Sequence, residues 1–252
     1  MVWDEIVRKV SPYVVRVETQ GGHGTGFLCL YNEDRSLCGI ATALHVVYYA
    51  DDWQQPIRIR HEESTKVRRL TETERFIFKD FKTDSAVILF AKSDFPLPDE
   101  PIPLLPTAER ISIGVEVGWL GFPAIDPYTL CFFSGNVSAW REDRRAYLID
   151  GVAINGVSGG PVLFHTGVID PRIVGIITAY QASRAGGEAL PGLSIAQDVS
   201  HFHDVIGHVR SIDEAKKKDE LAKSGQPNSG KQPRPPEPPA PASTTGASCY
   251  LA

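Results

Sequence analysis

Gly156-Val157-Ser158-Gly159-Gly160-Pro161 sets a serine among three glycines at the entry to the apolar run Val162-Leu163-Phe164. A nucleophilic serine hydroxyl needs exposure on a tight turn, a base within hydrogen-bond reach, and N–H donors aimed at the developing oxyanion. Glycines let the backbone curl until successive N–H groups point one way. Pro161 then fixes φ where the next strand begins. The same six residues would also suit a glycine-rich hairpin with an incidental serine, so the rest of the chain must decide.

Two further residues have settings that match. Ala41-Thr42-Ala43-Leu44-His45-Val46-Val47 places a histidine at the end of a buried, small-residue strand, where a general base would stand. Thr83-Asp84-Ser85-Ala86-Val87-Ile88-Leu89 places an acid immediately before another buried strand. From low-dielectric surroundings such a carboxylate can accept the imidazole Nδ1–H, fix the tautomer and stabilise the imidazolium. Taken singly, His45 reads as a core histidine and Asp84 as a strand-start turn residue. Asp80, in Lys79-Asp80-Phe81-Lys82, is a rival acid, but its flanking lysines point to solvent.

Taken together, His45, then Asp84, then Ser158, each in its local setting, resemble the chymotrypsin/trypsin superfamily. Gly24-Thr25-Gly26-Phe27-Leu28 and Asp150-Gly151-Val152-Ala153-Ile154-Asn155 are similar to segments of its HtrA-like branch. Gly121-Phe122-Pro123, Gly175-Ile176-Ile177 and Gly192-Leu193-Ser194-Ile195-Ala196 fall where that branch has related pieces. The resemblance spans about residues 12 to 200. It implies an all-β fold of two β-barrels with the active site between them, and hydrolysis of peptide bonds in polypeptide substrates without cofactor or metal. It implies Ser158 as nucleophile, His45 as base and Asp84 as orienting acid. The N–H groups of Gly156 and Ser158 would form the oxyanion hole. The wall of the primary pocket would hold Val152, Ala153, Thr178, Ala179 and Tyr180, with no acid among them. Two departures stand out: no PDZ module follows, and Val157 occupies a place where relatives carry Asn or Asp. Valine has no charge with which to receive a newly cut N-terminal ammonium, so activity is expected without N-terminal cleavage. A catalytically silent module that binds extended peptides, or an esterase on the same triad, are the alternatives.

Hydrophobic periodicity organises the remainder. Trp3, Ile6, Val7 and Val10 at helical spacing predict an N-terminal helix over 1–11. Short strand-like runs punctuated by Gly, Asn and Asp predict a first barrel over 12–100 and a second over 101–200. The four prolines of Asp94 to Pro103 rule out a central strand and mark the connection. A helix over 201–222 follows. Residues 223–252, crowded with proline, read as a disordered tail that serves as a spacer or meets a partner.

The bulk properties exclude several other roles. The chain has 252 residues, 42% hydrophobic and 23% charged, with a net charge of -5, which gives no basic face for nucleic acid. No run approaches the roughly 20 apolar residues of a membrane span. Asp4 and Glu5 lie where a signal peptide needs a basic start, so a cytoplasmic protein is expected. Cys29, Cys38, Cys131 and Cys249 have no metal or disulfide spacing; Cys29 and Cys38 read as buried thiols. Cys249-Tyr250-Leu251-Ala252 formally fits a prenylation pattern. His201, His203 and His208 do not share one helix face and read as part of a solvated helix.

Overall fold

The apolar runs of the first half become seven antiparallel strands. They are β1 (Val14–Thr19), β2 (Gly22–Tyr31), β3 (Leu37–Ala43), β4 (Ile57–His61), β5 (Val67–Leu70), β6 (Arg75–Asp80) and β7 (Ser85–Ala91). Their spatial order is β5-β4-β1-β2-β3-β7-β6. The second half supplies β8 (Glu116–Gly121), β9 (Cys131–Arg141), β10 (Ala146–Asp150), β11 (Pro161–Phe164), β12 (Arg172–Ala185) and β13 (Glu188–Asp198). These six close into a barrel in the order β10-β13-β12-β11-β8-β9. The computed structural model describes residues 2–62, 64, 66–167, 170–185 and 188–224. The chain divides into two compact units, Met1–Glu214 and Ala215–Ala252. Both sheets belong to the first. The Pro-rich segment and Cys249 lie outside the described residues.

The expected pair of closed barrels is corrected by this topology: the second barrel is closed, but the first sheet is open. Its edges, β5 and β6, are joined by Thr71–Glu74 yet form no ladder with each other. A capped turn separates them, with Thr71 N–H bonded to Glu74 Oε2 at 2.9 Å. The Arg75 guanidinium donates to Leu70 O at 3.1 Å and to Ala50 O at 3.3 Å. A side chain thus satisfies a carbonyl that main-chain pairing would otherwise take up.

Strand alternation splits the buried residues into two clusters. Val15, Val17, Leu28, Ile40 and Ile88 face one way and form the core of the open sheet. Val14, Phe27, Ala41 and Val87 face the other way and join Trp119, Leu120, Val162 and Ile176 of the closed barrel. The proline-rich connection serves both, with Phe95 and Leu97 in the first cluster and Ile102 and Leu105 in the second. It runs as irregular chain, tied to the barrel where Ile173 N–H bonds Pro103 O at 3.0 Å and Leu105 N–H bonds Ile173 O at 2.8 Å.

Helix α1 (Trp3–Val10) buries Ile6 and Val10. At eight residues it is too short to persist alone in water, so this docking, about 1.5–3 kcal/mol for each such side chain, holds it. The nine-residue helix α2 (Leu44–Asp52) follows β3 directly. The last helix, α3 (Ser200–Ser224), buries Phe202, Val205 and Val209, with the Phe202 ring edge-on to Phe27. Its histidines meet different partners: His203 Nε2 lies 2.8 Å from Leu105 O, and His208 stacks on Phe78. Burial pushes the Cys29 and Cys38 thiols up to about 12. Among the described residues no helix is long and apolar enough to cross a membrane.

Candidate active site

The register of two neighbouring strands brings the histidine and the acid together. β3 and β7 pair with Ala43 opposite Ser85, so His45 and Asp84, just beyond that pair, come side by side. Helix α2 begins after Ala43 with no side-chain cap of its own, which leaves its first N–H groups without intrahelical partners. Asp84 supplies them from the adjacent strand. Its carbonyl accepts the Leu44 N–H at 2.9 Å, and its Oδ1 accepts the His45 N–H at 2.9 Å. Its Oδ2 lies 2.7 Å from His45 Nδ1. A carboxylate only accepts, so Nδ1 carries the proton and Nε2 is left as an acceptor. The geometry requires φ of +49° at Asp84, a left-handed conformation that a short polar side chain tolerates.

Asp80 lies elsewhere and has another task. It accepts the Lys82 N–H and the Thr83 hydroxyl, both at 2.8 Å, and so shapes the turn that delivers Asp84. Burial pushes its pKa up, but the Thr83 hydroxyl, the Lys82 amide and nearby His201 outweigh this and hold it below the usual value.

The serine turn is built on two left-handed glycines, Gly156 at φ +92° and Gly159 at φ +86°. A Cβ at Gly159 would run into Thr25 O and Thr42 Oγ1. The two peptides that carry the Gly156 and Ser158 N–H groups are locked by their carbonyls. Asn155 O accepts the Ala124 N–H at 2.6 Å, and Val157 O accepts the Gly160 N–H at 2.8 Å. In a planar trans peptide the N–H points opposite to the carbonyl. The Gly156 and Ser158 N–H groups are therefore turned away from these partners. Neither has a hydrogen-bond acceptor among the described residues. Both residues line a cleft shared with His45.

Thr25 ties this turn to the open sheet. Its hydroxyl accepts the Phe122 N–H at 3.0 Å and donates to Gly156 O at 2.9 Å, and its own N–H bonds Ser158 O at 2.8 Å. Sequence reasoning singled out Gly24-Thr25-Gly26 but gave the threonine no role. A hydroxyl flanked by two glycines, which leave room for a close backbone approach, was the available signal. Val157 is fully buried against Gly121, its N–H bonded to Ile154 O at 3.1 Å.

Ser158 and His45 stand where two clefts meet. The first, about 240 Å³, is walled by Ala153, Thr178, Ala179 and Tyr180, with Ile154 and Ile177 beside them. Four of the five residues expected in the primary pocket are thus brought together. Val152 is not among the cleft's lining residues, and it is half exposed. The second cleft, about 330 Å³, runs past Gly156 to Gly22, His23, Val46 and Tyr49. Apart from the catalytic candidates, none of its residues was anticipated. His23 Nε2 lies 3.1 Å from Phe122 O, and burial lowers the pKa of the ring. No Ser158–His45 hydrogen bond is present among the described residues; such bonds are often long before substrate binds.

Known proteins share this architecture. A serine endoprotease from Yersinia pestis superposes with a TM-score of 0.60 at 20% identity, over 83% of this chain and 66% of its own. The Mycobacterium tuberculosis protease Rv3671c, in an inactive form, gives 0.57 at 18% identity over 81% and 92% of the two chains. Deg5 gives 0.57 at 20% identity over 79% and 91%. The chain spans about two thirds of the first of these and more than nine-tenths of the other two. No curated protein sequence matches. The sequence profile of the trypsin-like peptidase domain matches residues 24–176, more than half of the chain, and that span contains Thr25, His45, Asp84 and the Ser158 turn. By that match, and with the fold in agreement, the chain belongs to the trypsin-like peptidase domain family.

Proposed function

We propose that the chain is a serine endopeptidase working through Ser158, His45 and Asp84. The observation that carries this reading is the double hold of Asp84 on His45, through main chain and ring, at a cleft shared with the unpaired N–H groups of Gly156 and Ser158. Ser158 Oγ attacks the scissile carbonyl while His45 Nε2 takes the hydroxyl proton. The carbonyl oxygen gains the negative charge and is stabilised by the two N–H donors. Collapse of the tetrahedral adduct breaks the C–N bond, and His45 gives its proton to the leaving amine. Water, deprotonated by His45, then attacks the acyl carbonyl, the bond to Ser158 Oγ breaks, and His45 returns the proton to the serine oxygen. Asp84 keeps Nδ1 protonated throughout.

The test is covalent labelling by an active-site phosphonate, which reacts only with an activated serine. Labelling at Ser158 is expected, and to the same extent with an uncleavable N-terminal fusion, because buried Val157 offers no charge for a new N-terminus. An inert fusion that regains labelling only after removal to a defined residue would overturn the argument from Val157. Failure to label either form would overturn the peptidase reading.

The acyl side chain of the substrate is assigned to the cleft of Ala153 and Thr178. Among the described residues no acid lines it, so a lysine or arginine would be desolvated there without a partner. Cleavage after Val, Ala or Leu is expected, with basic residues at that position disfavoured roughly 10²-fold. A peptide-library profile dominated by Lys or Arg would refute it.

A further inference from the structure

The cleft on the other side of Ser158 has its own chemistry. Val46 and Tyr49 of α2 form one wall, and the turn from Thr19 to Gly22 that joins β1 to β2 forms the other. Tyr49 is 56% exposed, and its ring leans on that of Trp53, itself 66% exposed, with centroids 5.9 Å apart. Core packing does not account for two neighbouring aromatic rings in solvent beside a reacting centre. Across from them Gly21 and Gly22 offer no side chain, and a Cβ at Gly22 would stand in open space.

The cleft also gives a charge nothing to bind. Among the described residues no carboxylate, lysine or arginine lines it. Its two histidines are both engaged: His45 with Asp84, and His23 with the Phe122 carbonyl, with burial favouring the neutral His23 ring. A charged side chain entering here would lose water without gaining a partner, whereas an apolar one would cover exposed aromatic surface.

The two clefts meet at Ser158, and the N–H groups of Gly156 and Ser158 set where the scissile carbonyl lies. A peptide held there must send its acyl half into one cleft and its leaving half into the other. With the acyl side chain beside Ala153 and Thr178, the first residue of the leaving half faces Val46 and Tyr49. Building on the serine-peptidase reading, we infer that Tyr49, supported by Val46, forms a subsite for a large apolar or aromatic side chain immediately after the scissile bond, and that Tyr49 determines specificity there.

Acyl transfer reads this subsite directly. An acyl-enzyme is formed from a p-nitrophenyl ester of an apolar acyl-amino acid, releasing p-nitrophenolate, and is offered amino acid amides in competition with water. The amine nitrogen attacks the acyl carbonyl, the bond to Ser158 Oγ breaks, and His45 moves the proton from the amine to the serine oxygen. The ratio of products from phenylalaninamide and glycinamide does not depend on how much enzyme is active or well folded. It is expected to favour phenylalaninamide about tenfold, equivalent to about 1.4 kcal/mol. It should fall toward unity in Tyr49→Ala and persist in Tyr49→Phe. Phe76→Ala, an exposed aromatic on β6 that does not line the cleft, should keep the ratio. A flat wild-type ratio, a preference for aspartate or lysine amide, or an unchanged ratio in Tyr49→Ala overturns the subsite while leaving the peptidase reading standing. No ester turnover together with no phosphonate labelling removes both.

Discussion

Ser158→Ala is expected to lower kcat for peptide hydrolysis by about 10⁶ while leaving KM and thermal unfolding close to those of the parent. The fold gives no reason for a stability loss. The Ser158 hydroxyl makes no hydrogen bond among the described residues, and the turn is held by its backbone, through Thr25 N–H to Ser158 O and Gly159 N–H to Ile177 O. The loss would be chemical, since the substitution removes the oxygen that attacks the carbonyl. His45→Ala should cost about as much, and the double variant no more than either single one, because the two act as one nucleophile. A residual rate about 10³–10⁴ above water would persist from the oxyanion N–H groups and binding. Steady-state kinetics on a peptide cleaved after valine measure all three variants. Full activity in Ser158→Ala would sink the mechanism.

The meeting of Ser158, His45 and Asp84 at one cleft was legible because each sits in a distinct local pattern. Ser158 needs glycines around it, His45 follows a small-residue strand, and Asp84 precedes a buried one. What surrounds them was less legible. Val46-Val47-Tyr48-Tyr49 is β-branched and aromatic, a poor helix composition, yet these residues lie in α2. The helix starts there because Asp84, 39 positions away in sequence, caps it. No local propensity scale carries that information, and the aromatic wall of the second cleft was missed with it. The open first sheet has a similar origin. Between the unpaired edges β5 and β6 the Arg75 guanidinium reaches Leu70 O and Ala50 O, and the contact to Ala50, 25 positions away, is invisible in a run of alternating residues. The role of Thr25 emerges only when β2 and the serine turn are packed together. Most β-strands were readable as apolar or alternating runs, but charged β5 (Val67-Arg68-Arg69-Leu70) and β6 (Arg75–Asp80) were not.

Asp84→Asn is expected to reduce kcat/KM by about 10⁴ with little change in stability, and it separates the two jobs this residue performs. Asparagine tolerates the left-handed backbone at φ +49°, and its carbonyl oxygen can still accept the His45 N–H, so α2 keeps its cap. Facing Nδ1, however, the side chain now presents an NH₂ donor. The imidazole must then accept at Nδ1, its proton moves to Nε2, and Ser158 loses its base. Asp84→Ala would confuse the issue by also removing the cap, a loss of about 0.5–2 kcal/mol. Asp80→Asn is the matching control, since it is the rival acid by sequence. It weakens the bonds to Thr83 and Lys82, which shifts the turn without touching the ring, and should cost at most about tenfold, the scale of a single hydrogen bond. Kinetics on the two asparagine variants, with melting curves for each, decide the assignment. If Asp80→Asn proves the more damaging to turnover at unchanged melting temperature, the orienting acid is Asp80, and the contact between Asp84 and His45 serves only to start the helix.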